Sequence, residues 1–206
     1  FSYDLIGVHT HRYAHNLLES LRSEFPDLVA NGVLTYHGRT SRISVHPIGI
    51  EPERFEEWAS QETRNEPARL LNRIALARHM ILGVERLDYT KGIPERLLAF
   101  ENLLERFPSL RRRVSLVQIS VPSRSQVPDY ARERERVDQL VGRINGRFSE
   151  SDWVPVHHLS RSYTQQELAS FYRRADVCLV TPLRDGMNLV AKEFVASQGS
   201  ATGVLV

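Results

Sequence analysis

Lysine is nearly missing from these 206 residues. Of 27 basic side chains only Lys91 and Lys192 are lysine, and the rest are arginine. Cysteine is reduced to Cys178 alone, which excludes an internal disulfide and a disulfide-stapled secreted scaffold. Its setting, Val177-Cys178-Leu179-Val180, reads as an inert core thiol in a reducing cytoplasm. No apolar run approaches the roughly 20 residues that span a bilayer, so a membrane protein is not expected. An excess of one charge is lacking too. The 27 basic and 25 acidic residues leave +2, too little to argue for a nucleic-acid or membrane surface on net charge, so any such surface would have to come from a local cluster and no nucleic-acid partner is expected. With 41% hydrophobic and 25% charged residues, disordered and fibrous classes drop out. An initiator Met and a basic leader are absent, and the last residues, Gly203-Val204-Leu205-Val206, are an apolar run. The sequence therefore reads as an internal segment of a longer chain.

Short β-branched runs alternate with amphipathic stretches, the pattern of βαβ units around a parallel sheet, and hence an α/β fold. The runs are Tyr3–Val8, Gly32–Tyr36, Ile43–Ile48, Met80–Val84, Val114–Ser120, Trp153–His157, Val177–Thr181 and Val204–Val206. Leu97, Phe100, Leu104 and Phe107 keep helical spacing, as do Val137, Leu140, Val141 and Ile144, and Leu168, Phe171, Tyr172 and Ala175. The polar stretch Glu57–Arg78 marks a domain boundary at about residue 66, giving segments 1–66 and 67–206. The run Arg132–Arg136 alternates in sign and suits a solvated helix face.

Two loops stand out as ligand-binding. Gly83-Val84-Glu85-Arg86-Leu87-Asp88-Tyr89-Thr90-Lys91-Gly92 leaves a strand and enters a helix at Ile93-Pro94, the place where open α/β sheets bind phosphate. Arg86 can fork onto a diphosphate and Lys91 can set a point charge beside it. An equally simple alternative pairs Arg86 with Asp88 or Glu85 on the surface. The second loop runs from Thr181 through Asp185-Gly186 to Glu193. The first N–H groups of its helix, from about Met187 to Val190, suit sugar hydroxyls and diphosphate oxygens. Glu193 can take two hydroxyls of a ribose at once; the plain alternative is a capped helix with a surface Lys192–Glu193 pair. Arg124, in Pro122-Ser123-Arg124-Ser125, is a lone loop arginine. His9, His11, His15, His157 and His158 lack the acidic partner of a zinc spacing, so no metal is expected. No Gly-x-Ser-x-Gly elbow is present.

Arg86-Leu87-Asp88-Tyr89-Thr90-Lys91-Gly92, Val121-Pro122-Ser123-Arg124, Gly142-Arg143-Ile144-Asn145-Gly146 and Thr181 through Glu193 occur in the order found in the trehalose-6-phosphate synthase family, retaining nucleotide-sugar glucosyltransferases. Tyr3-Asp4-Leu5-Ile6-Gly7 and His46-Pro47-Ile48-Gly49-Ile50 extend the resemblance through nearly the whole chain. The resemblance implies two Rossmann-like domains of the GT-B type, incomplete at both ends, with the donor held by the C-terminal one. It implies transfer of glucose from UDP-glucose, a co-substrate that needs no separate cofactor, to glucose 6-phosphate. Carried over by position, Arg86 and Lys91 hold the departing diphosphate; Asp185, Gly186, Met187 and Asn188 face the glucosyl hydroxyls and phosphates. Leu189, Val190 and Glu193 lie at the ribose and phosphate end, Ala191 and Lys192 in the same donor-binding run, Tyr163 beside the nucleobase, and Arg124 at the acceptor phosphate. The family's glycine loop, acceptor-binding aromatics and catalytic-region histidine have no counterpart in this sequence, so the segment alone is expected to bind nucleotide without appreciable turnover. Two alternatives stay open: a glucosylglycerol-phosphate synthase taking glycerol 3-phosphate, and a non-catalytic nucleotide sensor. A homo-oligomer is compatible with the sequence, which does not decide the oligomeric state.

Overall fold

A computed structural model describes residues 3–30, 33–61, 71, 78–123, 127–200 and 202–206. It divides into two compact units, Phe1–Gly49 and Ile50–Val206. The boundary expected near residue 66 lies outside the described residues.

The first unit holds β1 (Leu5–Val8), α1 (His11–Glu24), β2 (Val29–Ala30), β3 (Val33–Tyr36) and β4 (Arg39–Val45), in sheet order β1-β4-β3-β2. β1 and β4 run parallel, whereas β3 pairs antiparallel with both β4 and β2. The sequence reading gave only parallel pairing. It missed a hairpin whose two turn residues, His37 and Gly38, have φ of 48° and 78°. Paired left-handed residues match the right-handed twist of the flanking strands. The hairpin signal was weak because His, rather than Asn or Asp, precedes the glycine.

The second unit holds α2 (Pro52–Ser60), β5 (His79–Arg86), α3 (Ile93–Arg106), β6 (Val114–Val121), α4 (Pro128–Phe148), β7 (Val156–Leu159), α5 (Gln165–Arg174), β8 (Val177–Cys178), α6 (Leu189–Gln198) and β9 (Val204–Leu205). All four strand pairings are parallel, in the order β7-β6-β5-β8-β9. The chain builds outward from β5 to β7, then crosses to the other side of β5 to lay down β8. That reversal opens a crevice at the carboxyl ends of β5 and β8, where doubly wound sheets bind ligands.

Helices cover both faces of this sheet. On one, Met80, Leu82, Val84, Val117 and Ile119 pack with Phe55, Phe171, Tyr172 and Phe194. On the other, Val114 and Leu116 pack with Leu97, Phe100, Leu104, Val137, Leu140 and Ile144, the helix faces predicted from spacing except for Phe107, which caps the end of α3 and is exposed. Burial on both sides is complete along β6, whose first seven residues are all buried, the polar Ser115, Gln118 and Ser120 included. Pro52, Pro94 and Pro128 stand in first turns, where a missing N–H costs nothing. Thr164 and Glu167 form a capping box on α5.

Four local expectations change, the first being the strand expected over Ile43–Ile48, which runs instead from Arg39 to Val45. The strand expected from Trp153 begins at Val156, because Trp153 turns inward and its indole N–H donates to the Val114 carbonyl and the Ser115 hydroxyl. The strand expected to reach Thr181 is regular only through Cys178, although Leu179 and Val180 still donate to the Leu82 and Val206 carbonyls. In the run Arg132–Arg136, Glu133 is buried, since helical spacing puts it on the face of Tyr130, Val137 and Leu140. Burial pushes its carboxyl up.

Candidate active site

The loop after β5 is shaped by Asp88. This buried carboxylate accepts from the Thr90 backbone N–H and hydroxyl at 3.0 and 2.8 Å and from the Tyr130 hydroxyl at 3.1 Å. It also takes the Arg86 guanidinium at 3.0 Å. Burial alone would raise the Asp88 carboxyl, but these hydrogen bonds outweigh it and hold the group below the usual range. Arg86 is thus tethered by one nitrogen while its side chain stays half exposed. The sequence alternative of an Asp88 partner is present, yet the partner is a buried anchor. Glu85 points to the other side, to Arg96.

Gly92 then turns the chain into α3 with φ 66° and ψ 30°. A β-carbon there would lie 2.9 Å from the Thr181 carbonyl oxygen, so the glycine lets the two loops touch. The Arg184 N–H closes the contact on the Thr90 carbonyl at 3.2 Å. Between the loops, the Lys91 ammonium meets the Asp185 carboxylate at 2.7 Å, and both are largely buried. Asp185 also takes the Gly186 N–H at 2.8 Å and the Asn188 amide at 3.0 Å. Burial raises its carboxyl, and the bonds from Lys91, Asn188 and Gly186 more than offset that, leaving it below the usual value.

Asn188 caps α6 by accepting the Ala191 N–H at 3.2 Å. Helix geometry leaves the Leu189 and Val190 N–H groups without partners inside the helix. Met187 and Lys192 lie on the same half-buried stretch. Glu193 is buried, and its carboxylate accepts the Tyr172 hydroxyl at 2.8 Å, replacing the surface Lys192–Glu193 alternative. Burial pushes the Glu193 carboxyl up, partly offset by that hydroxyl. Tyr163 precedes α5, edge-on to Phe171 at 5.1 Å and with Arg161 4.4 Å over its ring. Arg124 lies outside the described residues.

Arg86, Lys91, Asp185, Gly186, Asn188 and the start of α6 therefore gather at the carboxyl ends of β5 and β8. Fixed cations, a carboxylate and a helix N-terminus are the equipment for an anionic ligand that also carries hydroxyls.

Sequence reasoning overlooked what lies beneath. Arg96, 3% exposed, donates to both oxygens of Glu85 at 2.6 Å, to Gln118 at 3.0 Å and to Thr181. The available signal was Gly83, a glycine within a bulky strand. Its absent side chain leaves room for Arg96 and Gln118. Gly142-Arg143-Ile144-Asn145-Gly146 falls in α4 and is an anchor. Asn145 pairs with the Val156 carbonyl and N–H at 2.9 and 3.0 Å, tying the helix to β7.

The sequence profile of glycosyltransferase family 20 matches residues 1–206. The chain belongs to that family. A relative, the UDP-forming α,α-trehalose-phosphate synthase of Pichia angusta, is 42% identical over 206 residues, all of this chain and 43% of its own length. The synthase of Burkholderia xenovorans in complex with glucose-6-phosphate superposes with a TM-score of 0.91 at 39% identity, covering 99% of this chain and 46% of the other. The E. coli protein bound with UDP-2-fluoro glucose gives 0.89 at 38% identity, covering 98% and 45%. The chain spans less than half the length of each of these relatives. At this level of likeness the α/β, GT-B assignment of the chain stands, as family 20 proteins have it. Among the described residues no helix is long and apolar enough to cross a membrane.

Proposed function

We propose that the protein transfers glucose from UDP-glucose to glucose 6-phosphate, forming α,α-trehalose 6-phosphate and UDP with retention of configuration, in the cytoplasm. The observation that carries this is the meeting of Lys91 with the Asp185-Gly186-Asn188 turn at the switch point of the parallel sheet. The names of the relatives support it, as do the glucose-6-phosphate and UDP-2-fluoro glucose bound to their structures.

Departure of UDP breaks the bond from the anomeric carbon to the diphosphate and leaves negative charge on the phosphate oxygens. Arg86, held by Asp88, and Lys91, held by Asp185, are preorganised cations that stabilise this charge as it develops. The acceptor hydroxyl attacks from the same face, forming the new glycosidic bond and giving its proton to the departing phosphate, so no protein nucleophile is needed. Asp185, Gly186, Met187 and Asn188 face the glucosyl group, the first N–H groups of α6 at Leu189 and Val190 face the phosphates with Ala191 and Lys192 beside them, Glu193 takes the ribose, Tyr163 flanks the base, and Arg124 takes the acceptor phosphate. UDP-glucose is consumed as a co-substrate and no separate cofactor enters.

The test is UDP release from UDP-glucose by the full-length protein with either glucose 6-phosphate or glycerol 3-phosphate. Release with glucose 6-phosphate and a non-reducing disaccharide phosphate as product is expected. Release only with glycerol 3-phosphate would reassign the acceptor. UDP binding without release in either case would make the protein a nucleotide sensor.

A further inference from the structure

We propose that Arg96 is a positioning residue that sets the distance between the two ligand loops, acting through Thr181; the proposal rests on the donor-site reading above. Arg96 lies in the first turn of α3, behind the loop that carries Arg86 and Lys91. A guanidinium has five N–H donors, and here each one has an acceptor. Nη1 donates to Glu85 Oε2 at 2.6 Å and Gln118 Oε1 at 3.0 Å. Nη2 donates to Glu85 Oε1 at 2.6 Å and Thr181 Oγ1 at 3.0 Å, and Nε donates to the same hydroxyl at 3.2 Å. Three bonds thus fix the fork to β5 and β6, and two reach across to the first residue of the loop that carries Asp185.

The placement links the two halves of the site. Glu85 is the neighbour of Arg86, and Thr181 begins the turn whose Asp185 holds Lys91. The Thr181 carbonyl is also the atom against which Gly92 fits. Moving Thr181 therefore moves the Lys91–Asp185 contact. The sheet is shaped for the fork as well: a β-carbon at Gly83 would lie 2.4 Å from Gln118 Oε1 and 2.7 Å from Arg96 Nη1. Stability alone gives little reason for this arrangement, because burying an ion pair gains nothing over well-packed apolar residues of similar volume. A planar five-donor fork that reaches β5, β6 and the loop after β8 at once gives a geometric reason, and a lysine cannot substitute for it.

The informative substitutions are at Thr181, since changing Arg96 or Glu85 strands a buried charge. Thr181 is exposed, so losing its hydroxyl opens no core cavity. In the full-length protein, Thr181→Val should weaken UDP binding by calorimetry roughly tenfold, the scale of a hydrogen bond to a charged group. Thr181→Ser restores the hydroxyl and should bind UDP within about twofold of the unsubstituted protein. The donor KM should rise in the valine variant while the glucose 6-phosphate KM stays put, a split that general loosening would not produce. Arg96→Lys, where it folds, should weaken UDP at least as much as Thr181→Val. Unchanged UDP affinity in Thr181→Val would overturn the role, as would equal losses in the valine and serine variants. Absence of UDP binding in the unsubstituted protein would strike the donor-site reading itself and take this proposal with it.

Discussion

The Lys91 ammonium donates to Asp185 Oδ2 at 2.7 Å, joining two loops 94 residues apart in sequence. The pair solves an electrostatic problem. A diphosphate brought beside Asp185 meets a carboxylate held ionised by its hydrogen bonds, and Lys91 cancels that charge before the ligand arrives. Because the folded carboxyl lies below its unfolded value, the stability it supplies is complete above the unfolded value and is lost only as pH falls through the folded one. Lys91→Ala should therefore cost more UDP affinity than the loss of one phosphate contact. Asp185→Asn should bind UDP at least as tightly as the parent and lose turnover. In the double variant the costs should fail to add by about 0.5–3 kcal/mol. Calorimetry on all four proteins checks this, and additive costs would show that the two residues act separately.

Asp88 holds Arg86 from one side only, which leaves the rest of the guanidinium available. Arg86→Ala should lose roughly 2–4 kcal/mol of transition-state stabilisation, the range seen on deleting a preorganised charge-stabilising donor. Asp88→Asn should give a smaller loss in kcat/KM, because the cation remains but its tether is replaced by an amide. Equal kinetics in Arg86→Ala and the parent would remove Arg86 from the diphosphate site.

The parallel sheet of the second unit and its helix faces were legible because burial on both sides writes long apolar runs, and helices over them write a 3.6-residue period. The loops were legible because they carry charge at strand ends. What lay hidden was pairing. Nothing in the spacing says that Glu85 turns from Arg86 to Arg96, that Glu193 accepts from Tyr172, or that Glu133 faces inward from a run of solvated charges. Such choices are made between elements far apart in sequence, after the sheet has formed. The hairpin at His37-Gly38 was missed for a local reason, an unusual residue in the first left-handed position.

Tyr172 tunes Glu193. Burial raises this carboxyl and the Tyr172 hydroxyl lowers it, so Tyr172→Phe should raise it further. With the folded value above the unfolded one, the native state holds a proton that the unfolded chain releases, and stability falls as pH rises between the two values. In the proposed donor site the ionised form of Glu193 is the one that takes the ribose hydroxyls. The acidic limb of UDP affinity, followed by calorimetry from the ordinary glutamate range upward, should therefore shift to higher pH in the phenylalanine variant. A uniform drop in affinity at every pH would count against this coupling.

Asn145 offers a contrast, since its two bonds to Val156 tie α4 to β7 away from the gathered cations. Asn145→Ala should lower the unfolding free energy in urea by about 1–3 kcal/mol, because backbone groups of Val156 lose their partners. UDP affinity should be unchanged. A loss of affinity comparable to that of Lys91→Ala would place this motif in ligand binding instead.

Gly92 and Gly38 separate backbone strain from loop contact. Both adopt positive φ, 66° and 78°, but a β-carbon at Gly38 has nothing within 4 Å, whereas one at Gly92 lies 2.9 Å from the Thr181 carbonyl and 3.4 Å from Leu183. Gly38→Ala should cost only the left-handed strain, about 1–2 kcal/mol, and leave UDP binding intact. Gly92→Ala should pay the same strain and also force Thr181 away, lengthening the bonds from Arg96 and carrying Asp185 from Lys91. Its unfolding free energy should fall by more, and its UDP affinity should fall with it. Urea unfolding and UDP titration of the two variants decide the matter. If they lose equal stability and both keep UDP affinity, the contact at Thr181 does not set the spacing of the site.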